Sequence, residues 1–126
     1  MRDLAKRLTA ARLVPEQPDA QRVLVSEKLR LSLTRIAGAG GFAALLRRSL
    51  SLVSATMPAL EGVKVDADGR IEGLGRIAAH GDAVWQEASE AVTAQMLDLL
   101  VTFIGEPLTR RLAREALAEG SPAEER

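Results

Sequence analysis

The chain has no cysteine and no tyrosine, and its aromatic residues are only Phe42, Trp85 and Phe103. Without thiols there is no disulfide scaffold, zinc ribbon, iron–sulfur site or thiol nucleophile, and the redox compartment is left open. Three aromatic rings are too few for the stacking platforms on which single-stranded nucleic acid or sugars bind. An excess of one charge is missing too. The 17 basic side chains are balanced by 17 acidic ones, so no global field attracts phosphate backbones, and nucleic acid is not an expected partner.

A long hydrophobic run is also lacking. The longest, from Met96 to Ile104, reads MLDLLVTFI; it contains Asp98 and is about half of the ~20 apolar residues that cross a bilayer. The amino-terminal MRDLAKRLTAARLV places Arg2, Lys6, Arg7 and Arg12 beside Leu4, Leu8 and Ala11 at helical spacing, without the continuous apolar stretch of a secretory signal. The expectation is a cytoplasmic protein with no stable membrane insertion and a short amino-terminal helix that docks or frays. What is present is 126 residues, 47% of them hydrophobic, which suits one domain with a core of Leu, Ala and Val. Arginine outnumbers lysine 14 to 3, a composition found in GC-rich bacterial genomes.

Prolines and glycines punctuate the chain. Pro15 and Pro18 set an amino-terminal helix and linker, residues 1–18, apart from a helical domain over 19–119, and the polar GSPAEER of residues 120–126 reads as a disordered tail. Asp19 is an expected N-cap. Val25, Leu29, Leu33 and Ile36 then form one helical stripe, predicting a first domain helix that runs to about Ala37. Gly38, Gly40 and Gly41 interrupt the pattern, and Phe42, Leu45, Leu46, Val53 and Met57 resume it as far as Pro58. AGAGG follows a helix and lacks the spaced glycine and Lys-Ser/Thr of a phosphate-binding loop, so it reads as a helix–helix turn.

From Gly62 to Leu74, alternating Val63, Val65 and Ile71 around Asp68-Gly69 predict a small β-hairpin. The same DADGRIE is close to the middle of an EF-hand loop. Setting Gly69 at its bend, however, puts Lys64 and Gly75 where the strongest calcium ligands belong, and no metal site is expected. Beyond it, Asp82 should cap a long helix to Ile104 carrying Val84, Trp85, Ala88, Ala91, Val92, Met96 and Leu99. After Met96 the apolar residues Leu97, Leu99, Leu100, Val101, Phe103 and Ile104 cover more than half the circumference. One neighbouring helix cannot cover that arc. Gly105-Glu106-Pro107 then breaks or kinks the chain before a last helix to about Glu119. The fold class is therefore all-α, a four- to five-helix bundle with a small β-hairpin insertion near residues 62–74.

Reactive groups are scarce. His80 is the only histidine, with no nucleophile marked as its partner and no Glu-x-x-His ligand spacing; phosphotransfer on it is one expectation, and an exposed linker residue is the other. Glu87 and Glu90, like Asp66 and Asp68, fall on solvated faces or turns rather than in a dry cleft. Arg110, Arg111 and Arg114 are the one basic cluster, opposite Leu108 and Leu112, and suit a solvated face, the end of a helix or an acidic partner. The run LLVTFIGEPLTRRLAREAL, Leu99 to Leu117, resembles the carboxyl-terminal segment of an uncharacterised family of small bacterial helical proteins. That resemblance implies a bacterial, cytoplasmic protein and transfers no activity to any residue.

The functional expectation is a non-catalytic interaction or regulatory module without a cofactor, partnered by a second copy or another protein through Leu97, Leu100, Val101, Phe103 and Ile104. A helical bundle binding a small effector is the second expectation, with Trp85 and Phe103 at the ligand and Arg110, Arg111 or Arg114 supplying charge. Phosphotransfer through His80 is the third.

Overall fold

The structure, a computed structural model, describes residues 2–10, 24–25, 27–67 and 70–119. Five helices and one two-stranded hairpin follow in order: α1 (Arg2–Ala10), α2 (Glu27–Ser54), a single 3-10 turn (Pro58–Leu60), β1 (Lys64–Val65), β2 (Ile71–Glu72), α3 (Leu74–Ala78), α4 (Asp82–Ile104) and α5 (Glu106–Glu119). The chain is thus all-α with a small hairpin. The expected cap Asp19, the Pro15–Pro18 linker, the tail 120–126 and the hairpin tip Asp68-Gly69 lie outside the described residues.

The core is aliphatic because the composition offers little else. Leu4 and Leu8 of α1, Leu29, Leu33 and Leu46 of α2, Val92, Met96 and Leu97 of α4 and Leu112 of α5 belong to one continuous buried cluster. The amphipathic stripe Leu4-Ala5-Leu8 lays α1 against α4 and α5, so the amino-terminal helix shares the core of the rest. Alanines at 5, 88, 91 and 94 are buried as well, and small side chains let helix backbones approach closely.

The first domain helix starts later than the capping pattern predicts. Leu24 and Val25 form a bend ahead of Glu27, with both side chains buried, and the Leu24 carbonyl accepts a 2.5 Å hydrogen bond from Ser89 Oγ of α4. A tertiary bond to α4 thus takes a carbonyl that a longer helix would have used internally. The expected glycine turn is also tighter than a loop. Helical geometry is lost at Gly38 alone (φ 82°, ψ 168°), and Gly40 and Gly41 are already helical again. That combination of angles is open essentially only to glycine.

The hairpin pairs Lys64 with Glu72 and Val65 with Ile71. Asp66 closes the turn: its amide donates to the Arg70 carbonyl at 2.9 Å, and its Oδ1 accepts from the Arg70 amide at 2.9 Å. The carboxylate that suggested a calcium loop is therefore engaged by its own backbone. Helix α3 is absent from the sequence expectation, although Leu74, Ile77 and Ala78 have the right spacing; Ile77 is fully buried. At the start of α4 the N-cap position belongs to Gly81 rather than Asp82, which sits in the first turn, where a carboxylate suits the positive end of the helix dipole.

The segment between α4 and α5 is a break and not a kink. Gly105 (φ 91°, ψ 157°) closes α4 by donating to Val101 O, and its own carbonyl accepts from both the amide and the hydroxyl of Thr109. Pro107 falls in the first turn of α5, where its missing N–H is no loss.

Candidate functional site

Two glycine breaks, at Gly38 and Gly105, flank a groove in the bundle. The turn at Gly38 brings the two halves of α2 around one side, and the turn at Gly105 brings α5 beside the end of α4 on the other. Between them lies a groove of about 500 Å³. Its walls are Leu33, Ile36 and Ala37 before the α2 break, Phe42, Ala44, Leu45 and Arg48 after it, Leu99, Leu100, Phe103 and Ile104 of α4, and Leu112 of α5. Among the described residues, Arg48 is the only one in that wall with a polar side chain.

The rim is unusually bare. Phe103 is 70% exposed and Ile36 is 54% exposed, and Leu108 stands out of the first turns of α5. On a helix turning by about 100° per residue, Val92, Met96 and Phe103 share one face of α4. Val92 and Met96 are fully buried, so the face is sealed along its upstream length and uncovered at its end.

The residues expected to form an interface divide accordingly. Leu97 turns fully into the protein's own core, whereas Leu100, also largely buried, still lines the groove. Five elements converge on α4, and together they cover an arc that a single neighbour could not. Val101 and Ile104 are half-buried, and Phe103 alone projects fully.

The expected ligand contacts do not form one site. Trp85 is buried near the start of α4, about 27 Å along the helix from Phe103. Arg110 and Arg111 are exposed and lie in i,i+4 ion pairs with Glu106 (2.7 Å) and Glu115 (3.5 Å), and Arg114 faces outward from the same helix. None of the three arginines lines the groove. The charge at the groove comes from α2 instead.

No protein-family model, curated protein or solved structure matches this chain.

His80 lies exposed in the turn after α3, its amide donating to the Ile77 carbonyl at 3.0 Å. Among the described residues no three His, Asp or Glu side chains converge as metal ligands would. Two hydroxyls, Thr34 Oγ1 and Thr93 Oγ1, are buried without a hydrogen-bond partner among the described residues. Thr93 is completely enclosed, one turn beyond Ser89 on α4.

Sequence reasoning missed Ile36, Ala44 and Arg48. Ile36 fits the buried stripe Val25-Leu29-Leu33 by spacing, so its exposure has no local signal. Arg48 is one of a pair, and its neighbour Arg47 reaches away to the Asp66 carbonyl at 3.5 Å. The only hint was position: both Ile36 and Ala44 lie within a few residues of the glycine cluster.

Proposed function

We propose that this protein is a non-catalytic helical interaction module that self-associates through the open end of the bundle. The observation that carries the reading is the exposure of Phe103, at 70%, on a helix face that is otherwise sealed. A large ring left in water beside Ile36 and an apolar groove forms a contiguous patch of the kind that marks an interaction surface. Aromatic anchors set into pockets dominate most protein interfaces. This face carries both a projecting ring and a recess, so it is self-complementary, as a two-fold interface requires. A formal charge of zero adds no repulsion between copies.

Residues 28–54 are long and apolar enough to cross a membrane by length and composition. Their placement favours a core helix instead: Leu29, Leu33, Phe42, Leu46, Leu50 and Val53 are buried by the bundle. The break at Gly38 would also leave backbone groups unpaired in lipid.

Light scattering across a concentration series tests the proposal. The expected result is a dimer that dissociates on dilution, and Phe103→Asp shifts it to monomer without lowering the melting temperature. A wild-type chain that stays monomeric at several hundred micromolar overturns it.

A further inference from the structure

We infer that the groove between α2, α4 and α5 binds a single-chain amphipathic anion, an alkyl carboxylate of fatty-acid type, with the chain in the recess and the head group on Arg48. This goes beyond self-association and competes with it, because a second copy's ring and the alkyl chain would occupy the same recess.

The first argument is the match of size and lining. The recess of about 500 Å³ lies within the range of small-ligand sites, and its wall is aliphatic apart from Phe42 and Phe103. A surface of that kind selects alkyl chains, since among the described residues it offers one hydrogen-bonding side chain, Arg48, too few to recognise a sugar, nucleotide or peptide. The second argument is charge. Arg48 is the only charged side chain in the lining, and it has no ion pair or hydrogen bond among the described residues. A guanidinium presents a planar donor fork that fits a carboxylate. Among the described residues no acidic side chain lines the groove, so there an amine head group would meet only like charge.

The third argument is how the recess is made. Gly38 and Gly105 break their helices at conformations reserved for glycine, and Ala37 and Ile104, the neighbours of these breaks, are both in the wall. The backbone path at these two breaks therefore helps to set the open volume. Trp85 is too far away to report on occupancy by fluorescence, so a direct measurement is needed.

The test is isothermal titration calorimetry of the full chain with octanoate, decanoate and dodecanoate below their micelle-forming concentrations. The expected result is one site per chain, with affinity rising about fourfold per added methylene. Dodecanoate should bind about threefold more tightly than dodecanol. That preference should vanish in Arg48→Gln and return in Arg48→Lys. Ala44→Phe, which places a ring in the recess from an exposed position, should abolish binding while circular dichroism shows an intact fold. Absence of saturable heat, affinity independent of chain length, or a carboxylate preference that survives Arg48→Gln overturns the inference. Light scattering on the same samples separates it from self-association. A monomer that binds dodecanoate supports the site and removes the dimer, and a dimer that takes up no dodecanoate does the reverse.

Discussion

The downstream length of α4 is the more apolar in sequence, yet it is the less completely covered. Val92, Met96 and Leu97 are fully buried, whereas Phe103, on the same face as Val92 and Met96, stands 70% exposed. Upstream, the helix is enclosed by the surrounding elements. Downstream, α2 turns at Gly38 and α5 departs at Gly105, and the cover runs out. The contrast teaches that an over-wide apolar arc is not itself an interface. Most of it is consumed by the protein's own core, and only the part beyond the last neighbour is available to anything else.

Substitutions along α4 put this contrast to the test. The largest effect should come from the sealed length: Leu97→Ala leaves a cavity where nothing can collapse easily and should cost about 2–5 kcal/mol in denaturant unfolding. If the loss is under 1 kcal/mol, the upstream half is not the packed centre described. Next in size is Gly105→Ala. Space is not the obstacle, because an added Cβ meets nothing closer than Pro107 Cδ at 3.8 Å, but the backbone angles would be strained. A loss of about 1–3 kcal/mol is expected, together with a changed groove.

Thr93→Val should act in the opposite direction. It removes a buried hydroxyl that has no partner among the described residues while keeping the side-chain shape, and should raise stability by about 1 kcal/mol in the same unfolding measurement. Phe103→Asp lies on the bare length and should change unfolding by no more than about 0.5 kcal/mol, while shifting the proposed dimer to monomer. A destabilisation comparable with that of Leu97→Ala would show the ring to be core after all. Smallest is Glu106→Gln, which loses the exposed ion pair with Arg110; about 0.3 kcal/mol is expected, and less in high salt.

Much of the fold was legible because it rests on local chemistry. The period of apolar residues gave the long helices, Asp68-Gly69 with its flanking valines gave the hairpin, and Gly105-Pro107 gave the boundary between α4 and α5. The errors fell where a distant partner decided. Helix α2 begins at Glu27 because Leu24 is tied to Ser89, a residue on another helix. Helix α3 is one short amphipathic turn, too brief for its periodicity to stand out, and it is held by burial of Ile77. The candidate site was legible in Leu100, Phe103 and Ile104, whereas Leu97 belongs to the core and Trp85 to the far end of the helix.

The amino-acid sequence alone determined that this protein is helical, which residues are greasy enough to need cover, and where the backbone must break. Each of these depends on neighbours within a turn or two: side-chain spacing, a proline without an amide, a glycine free of Cβ. Only the tertiary structure decided which greasy residues stay uncovered, and that Ile36 and Arg48 share a groove with Phe103. Cover is a property of the elements packed around a residue. Those elements come from distant parts of the chain, and no periodicity within one helix records their arrival.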